Sequence, residues 1–331
     1  MKLAVPDMIS PSYFPALAAV ELGFFQREGL DVTHDLRAPA NRCYEDLRDG
    51  HVDFVGASAH AALAAFPDWQ GVKLLCAQGQ GMYWFLVMRT DLGAARGDLS
   101  VVRGRRIAAA PWVEMGLRRM LMAAGIDPLA DKVDIAPLPG SVALKVNTGV
   151  TVAEALADQR IDGFWANGMG AEIAVRRGVG TVVIDTRRGD GPPGCFDYTA
   201  ATVATTDRLI AAAPQAAAGA IRAIVATQAA LRQDPSLATQ VGRKLFPPLQ
   251  AELIAELVAR DAPYYDPSLS EPFVSAMNRF ARDLGVLSAE VPYQQVVATR
   301  FSHLWKPQAL YQVPSATEYS GSFPDPSSAP R

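Results

Sequence analysis

Residues 3–32, LAVPDMISPSYFPALAAVELGFFQREGLDV, decide the fold that we predict for this chain. Leu3–Val5 is short and apolar, which is typical of a buried strand. Ser10 followed by Pro11 has the capping and first-turn chemistry of a helix start, and the next apolar residues keep helical spacing as far as Gly23. A helix that starts beyond the carboxyl end of a parallel strand directs unpaired N–H groups into a crevice. The stretch therefore predicts a site for a small polar or anionic ligand.

The rest of the chain repeats this alternation and then changes character. The first 90 residues alternate short apolar strands with helices, which predicts an α/β sheet with helices on its faces. A second unit of the same kind follows, and the alternating segment Tyr198–Thr205 predicts a strand that returns to the first unit. From 206 to 304 the pattern is helical, interrupted by Pro and Gly. This order predicts two lobes with a ligand cleft between them.

The predicted domains follow from that order. Lobe I is expected to comprise residues 1–89 and 198–305, including the C-terminal helices, and lobe II residues 90–197. The chain is expected to cross between the lobes near Met88–Asp91 and near Asp197–Thr206. Residues 306–331 are rich in Pro, Ser and short polar residues, so we predict a disordered tail there.

Composition excludes several classes of protein. A net charge of −3 argues against a broad nucleic-acid surface. The sequence contains no run of about 18 or more apolar residues, so we predict no membrane-spanning helix. The three cysteines are scattered without metal-ligand spacing. The N-terminus lacks the basic and apolar regions of a leader. We therefore expect a periplasmic location if an upstream leader was removed, and a cytoplasmic one if Met1 is the native start.

Four segments carry a resemblance to a known family. Residues 13–32 resemble the N-terminal signature of type II periplasmic binding proteins, and residues 44–63, 101–111 and 152–183 support it. The most similar subgroup contains sulfonate, nitrate, taurine and thiamine-pyrimidine binding proteins. The resemblance implies a two-lobed α/β fold of the type II periplasmic-binding-protein kind, with a cleft between the lobes and a helical C-terminal segment. It also implies a solute-binding protein that closes on a small-molecule ligand and delivers it to an ABC permease.

The same family contains enzymes, namely the thiamine-pyrimidine synthase of yeasts and an aromatic sulfinate desulfinase. The desulfinase-like enzymes use a cysteine in the turn after the first strand, where this chain has Ser10. The cysteine-rich iron-site motif of the yeast synthase is also absent from the sequence. Neither activity is therefore carried over to this chain.

The predicted site lies at four helix starts, in residues 10–13, 58–60, 111–114 and 167–169. Each start offers backbone N–H donors and the positive end of a helix dipole. The candidate ligand-binding residues at or near them are Ser10, Tyr13, Ser58, His60, Trp84, Trp112, Glu114, Trp165 and Asn167. Flat aromatic walls with few polar groups favour an aromatic or heterocyclic ligand. No arginine fork lies in these turns, which disfavours a sulfonate.

Two of these residues allow more than one interpretation. Glu114 either binds an N–H or positive group of the ligand or is a first-turn dipole partner at the surface. His60 either contacts the ligand, acts as a general base, or caps its helix. The alternative function is accordingly a cytoplasmic enzyme on the same fold: a decarboxylase, hydrolase or lyase of an aromatic or heterocyclic acid. His60 would be its acid/base and Glu114 would assist. The sequence contains no dinucleotide or phosphate-loop fingerprint and no metal spacing, so neither cofactor nor metal is predicted.

Overall fold

The computed structural model of the chain describes residues 1–141 and 147–306. The strands are β1 (Lys2–Val5), β2 (Thr33–Leu36), β3 (Phe54–Ser58), β4 (Val72–Gly79), β5 (Phe85–Arg89), β6 (Arg106–Ala109), β7 (Asp134–Ala136), β8 (Gly163–Ala166), β9 (Gly180–Asp185) and β10 (Ala201–Thr206). The helices are α1 (Phe14–Glu21), α2 (Phe24–Arg27), α3 (Ala40–Arg48), α4 (Glu114–Ala123), α5 (Thr148–Ala157), α6 (Gly168–Arg176), α7 (Asp207–Ala212), α8 (Pro214–Gln233), α9 (Leu237–Leu245), α10 (Pro248–Asp261), α11 (Glu271–Asp283) and α12 (Tyr293–Val296). The strands form two five-stranded sheets with helices packed on them, as predicted.

The first sheet has the strand order β2-β1-β3-β10-β4. Strand β1 is parallel to β2 and β3, and β10 is antiparallel to β3 and β4. The prediction that the segment near 200 returns to the first unit is therefore confirmed. Because β1, β2 and β3 are parallel, the loops that follow them meet at one edge of the sheet, which faces the other lobe.

The second sheet has the order β7-β6-β8-β5-β9, which corrects one predicted boundary. Strand β5 was assigned to lobe I within residues 1–89, but it pairs antiparallel with β8 and β9. The chain thus leaves the first sheet over residues 80–84, not near Met88–Asp91, and it returns over residues 186–200. An apolar run identifies a buried strand but not the sheet that accepts it, since partner choice depends on residues far along the chain.

The two crossings are bonded to each other. The N–H of Met82 donates to the carbonyl of Phe196 at 2.8 Å, and the Thr186 hydroxyl donates to the carbonyl of Met82 at 2.6 Å. The Arg187 Nε donates to the carbonyl of Gln80 at 3.1 Å. Two adjacent crossings between two lobes are the arrangement about which hinge closure occurs.

A buried ion pair connects the second crossing to the C-terminal helices. The guanidinium of Arg187 lies 3.0 Å from the Asp261 carboxylate at the end of α10, and both side chains are only 4% exposed. The same guanidinium lies over the ring of Tyr264, 4.7 Å from its centroid. The C-terminal helices therefore brace the hinge from the side of the first lobe.

The fold class predicted from the sequence is confirmed, including the helical C-terminal segment. The predicted tail lies, apart from Lys306, outside the described residues. Helices capable of crossing a lipid bilayer are absent from the part of the chain that the structure describes.

Candidate ligand-binding cleft

A cavity of about 50 Å³ lies between the two lobes, where the carboxyl ends of β1 and β2 face those of β6 and β8. One water molecule needs roughly 10–15 Å³ of such a volume, so the cavity has room for about three to five water molecules. Its lining residues are Pro6, Asp7, Tyr13, Ala38, Pro39, Ala40, Trp84, Ala110, Pro111, Val113, Thr148, Trp165, Ala166 and Asn167.

Three aromatic residues predicted for the site form walls of this cavity. They are Tyr13, Trp84 and Trp165. The Trp165 Nε1 donates to the carbonyl of Val113 at 2.9 Å, and the Trp84 and Trp165 rings meet edge to face with centroids 6.3 Å apart. The Tyr13 and Tyr83 hydroxyls lie 2.7 Å apart, and burial raises the Tyr13 pKa. The polar ends of Tyr13 and Trp165 are thus fixed, which leaves apolar walls for a ligand.

The carboxylate of Asp7 ties the two lobes together across the cleft. Asp7 follows β1, and its Oδ1 accepts from the N–H of Ile9 at 3.0 Å and from Nδ2 of Asn147 at 2.6 Å. Its Oδ2 accepts from Nδ2 of Asn167 at 2.6 Å. Both asparagines belong to the second lobe, so one side chain of lobe I is clasped by two of lobe II.

Each of these asparagines also caps a helix. The side-chain oxygen of Asn147 accepts from the N–H of Val150 at 2.7 Å, and that of Asn167 accepts from the N–H of Met169 at 3.0 Å. Asn167 therefore caps α6 at the helix start that the sequence predicted. The N-termini of helices α5 and α6 both lie next to the Asp7 side chain. Their positive dipole ends favour an anion at this position.

The ionisation of Asp7 sets the charge of the cavity. Burial raises the pKa of Asp7 to about 6, although the hydrogen bonds from Ile9, Asn147 and Asn167 act in the opposite direction. The carboxylate is therefore mostly ionised at neutral pH. A carboxylate offers about four acceptor positions, and three are used, which leaves one on Oδ2 for a ligand N–H. Among the described lining residues there is neither Lys nor Arg.

His60 contacts the protein through both ring nitrogens. Its Nε2 lies 2.9 Å from the carbonyl of Trp112, and its Nδ1 lies 3.0 Å from the Thr199 hydroxyl. A carbonyl only accepts, so Nε2 carries the proton and Nδ1 accepts from the hydroxyl. His60 is fully buried, burial lowers its pKa to about 4, and it is not among the residues that line the cavity. The structure thus places His60 as a contact from lobe I to lobe II.

The other predicted residues lie outside the cavity lining. Ser10 and Ser58 are buried, and the Ser10 hydroxyl has no hydrogen-bond partner among the described residues. Trp112 has a positive φ of 69° and presents its carbonyl to His60. Burial raises the pKa of Glu114, and hydrogen bonds from the backbone at the start of its own helix oppose the rise. That position is the one expected of a first-turn dipole partner.

Three of the four predicted helix starts need correction. Helix α1 begins at Phe14, and Ser10 makes no cap, because it stands three residues before the N-cap position at Tyr13. The segment after Ser58 is a 3₁₀ helix, Ala59–Ala64, and α4 begins at Glu114 and not at Pro111. For α1 and α4 the turn between strand and helix is longer than the sequence pattern predicts, whereas the 3₁₀ helix follows Ser58 directly.

Sequence reasoning missed Asp7 and Asn147. Neither residue is among the candidates named from the sequence, although Asn147 stands directly before α5, which begins at Thr148. The available signal was positional: Asp7 stands two residues after the end of the first strand, and Asn147 stands three residues before Val150 in an Asn-capped helix start.

A second cavity, of about 490 Å³, shares Asp7 with the first. It is lined by Asp7, Met8, Ile9, Leu36, Asn147, Val150, Thr151, Leu245, Pro247 and Gln250. Gln250 is 7% exposed, and its side-chain oxygen has no hydrogen-bond partner among the described residues. The bridge between Asp7 and the two asparagines thus stands between a small aromatic compartment and a larger one.

Comparison with known protein families shows the family to which this chain belongs. Residues 10–238 match the family described as NMT1/THI5 like. The chain belongs to the NMT1/THI5-like family. No curated protein matches it by sequence.

Several solved structures of other proteins have the same fold as this chain. The alkanesulfonate-binding protein SsuA from Xanthomonas axonopodis pv. citri, bound to MOPS, has 14% identity and a TM-score of 0.66, covering 91% of this chain and 93% of that one. The periplasmic nitrate-binding protein NrtA from Synechocystis PCC 6803 has 14% identity and a TM-score of 0.67, covering 92% and 86%. The desulfurization enzyme DszB has 15% identity and a TM-score of 0.62, covering 92% and 98%. The type II periplasmic-binding-protein fold is thus shared by all three.

The two glycines at the starts of α5 and α6 set the position of the asparagines in this NMT1/THI5-like chain. A Cβ on Gly149 would lie 2.6 Å from Oδ1 of Asn167, and a Cβ on Gly170 would lie 2.6 Å from the carbonyl oxygen of Gly149. Only glycine at both positions lets the helix starts approach each other and converge on Asp7.

We expect Gly149→Ala to lower the free energy of unfolding by about 1–3 kcal/mol, because the methyl group must displace the Asn167 cap. Gly219→Ala in α8 is the control. Its Cβ would meet the end of the flexible Leu30 side chain at 3.0 Å and lie in ordinary contact with the Glu28 Cβ at 3.4 Å, and alanine is a better helix former than glycine. Chemical denaturation of both variants checks the expectation. Equal losses in the two variants would contradict it.

Proposed function

We propose that this protein is a solute-binding protein that closes its two lobes on a small organic molecule carrying one aromatic or heterocyclic ring. The observation that carries the proposal is the cavity between the lobes, with three aromatic walls and one carboxylate. It lies at the carboxyl ends of parallel strands from both sheets, which is where open α/β sheets bind ligands. A ligand there contacts both lobes at once, so its binding free energy favours the closed form.

The chemistry of the lining selects the ring. Trp84 and Trp165 offer apolar surface on which a planar ring packs, and such contacts contribute about 0.5–1.5 kcal/mol per aromatic pair beyond burial. The open acceptor position of Asp7 orients a ring that carries an N–H. A molecule with one ring and an N–H donor satisfies both features of the cavity.

The partner in this proposal is an ABC permease. The two binding proteins compared above carry sulfonate-binding and periplasmic nitrate-binding in their names, and they share the fold of this chain. Family membership and fold support a periplasmic role in uptake, in which closure presents both lobes to the permease.

The geometry does not favour the enzyme alternative. An acid/base at His60 would need a free ring nitrogen at the cavity, whereas both nitrogens contact protein groups. Its pKa of about 4 also leaves it neutral at physiological pH. Glu114 is not among the cavity-lining residues.

Tryptophan fluorescence tests the proposal, because two tryptophans line the cavity. The titrants are benzamidine, aminopyrimidines and imidazoles, each a single ring with N–H donors. We expect at least one to bind at a single site and change the emission. Trp84→Phe should weaken that binding about tenfold, equivalent to ~1.4 kcal/mol. Trp69→Phe is the control, because Trp69 is equally buried but packs in a separate core within lobe I, away from the cavity. Absence of binding by all titrants, or equal effects of the two substitutions, would contradict the proposal.

A further inference from the structure

The position of Asp7 has the features of an anion site. The starts of α5 and α6 converge on it, and each contributes a capping amide that donates to it, Asn147 and Asn167, at 2.6 Å. Helix N-termini with N–H donors are the usual binding places for sulfate, phosphate and carboxylate ligands. Here the occupant is a carboxylate of the chain itself, supplied from the opposite lobe.

We propose that Asp7 is an internal anion that makes the cleft reject anionic ligands and select neutral or cationic ones. The inference rests on the proposed binding function and narrows its ligand class. It also separates this chain from the compared proteins that are named for sulfonate and nitrate.

Electrostatics gives the size of the expected selectivity. Two like charges about 4 Å apart near a protein surface repel strongly enough to change an affinity on the order of a thousandfold. Asp7 lines the cavity, so an anion inside it would stand at about that distance from the carboxylate. The described lining contains no Lys or Arg that would offset the repulsion.

The hydrogen-bond donors around the Asp7 carboxylate would still favour an anion if this side chain were removed. The two asparagine side chains are also held by the helix starts that they cap, independently of the carboxylate. Truncation of Asp7 leaves three donors without an acceptor, and a small anion supplies the acceptors they need. Loss of this side chain should therefore convert the cleft from rejecting anions to binding them.

Calorimetric titration at pH 7 with matched probes tests this. Benzamidine and benzenesulfonate share one ring and differ in charge, and nitrate and methanesulfonate probe the anion site alone. The wild type is expected to bind benzamidine at least a hundredfold more tightly than benzenesulfonate. Asp7→Ala should lose benzamidine affinity and gain saturable binding of nitrate or methanesulfonate. Asp7→Ala combined with Asn167→Ala should lose that gain.

Asp158→Ala is the control for charge, because Asp158 is exposed at the opposite end of α5. It should behave as the wild type with every probe. The inference would be overturned if the wild type bound nitrate, methanesulfonate or benzenesulfonate as tightly as Asp7→Ala does. If Asp7→Ala does not fold, the same comparison is made with Asp7→Asn. A folded Asp7→Ala variant without anion binding would overturn it too. Failure of benzamidine binding in the wild type, together with a gain of anion binding in the variant, would count against the proposed ring-binding function alone.

Discussion

Replacing Asp261 by Asn is expected to lower the free energy of unfolding by about 3–5 kcal/mol. The substitution keeps the shape of the side chain and removes its charge. The Arg187 guanidinium, only 4% exposed and 3.0 Å away, would then remain buried without its counter-charge. The stacking of Arg187 on Tyr264 and its bond to the Gln80 carbonyl offset only part of that loss.

The control for this prediction is Glu252→Gln. Glu252 pairs with Arg243 at 3.1 Å, but the two side chains are 62% and 68% exposed. An exposed pair contributes about 0–1 kcal/mol, so the change should be small. Thermal and urea unfolding of both variants give the comparison. If Asp261→Asn behaves like Glu252→Gln, the ion pair does not brace the hinge as described.

The affinity for benzamidine is expected to fall about tenfold for each pH unit below 6 and to be constant above pH 7. The amidinium stays charged throughout this range, so the change reports on the protein. Burial raises the pKa of Asp7 from 3.8 to about 6, and below that value a proton occupies the carboxylate that would accept the ligand N–H. The His60 pKa of about 4 places its titration below the window, and Glu114, whose pKa is also raised, lies outside the lining.

Calorimetry between pH 4.5 and 8 checks this prediction, with benzyl alcohol as a neutral ring of similar size. Because benzyl alcohol is uncharged, its affinity should not fall tenfold for each pH unit below 6. In Asp7→Asn the benzamidine profile should be flat. A wild-type profile that is flat across pH 6, or an affinity that rises on acidification, would contradict the role given to Asp7.

The same pKa shift has a consequence for stability. Since Asp7 binds its proton more tightly in the folded chain than in the unfolded one, the free energy of unfolding falls as the pH rises from about 4 to 6. Ionisation of Asp7 thus costs stability at neutral pH relative to its protonated form. A titratable group whose pKa is raised by burial at a cavity between two lobes is typical of functional sites.

Much of the fold followed from local sequence. The alternation of strands and helices, the strand near residue 200 and the helix start at Asn167 all depend on nearest neighbours along the chain, and these predictions are confirmed. Local pattern could not assign β5 to its sheet, because the same apolar run suits either one. Its partners β8 and β9 lie about 80–100 residues further on.

The site was less accessible to sequence reasoning. Tyr13, Trp84, Trp165 and Asn167 were predicted and line one cavity. Asp7 was missed because an aspartate after a strand usually forms a turn, and Asn147 stands 140 residues from it. The contacts of His60 involve Trp112 and Thr199, which no spacing rule connects to it. Contacts between residues of different lobes can be identified only once the relative position of the two lobes is known.

Native mass spectrometry tests the central claim most directly. The protein is incubated with a small-molecule extract of cells, desalted, and measured intact and after denaturation. We predict one equivalent of a neutral or cationic ring-bearing molecule that is released unchanged in mass, with reduced occupancy in Trp84→Phe and unaltered occupancy in Trp69→Phe. Occupancy that does not depend on Trp84, an anionic occupant, or release of a chemically altered molecule would contradict the account.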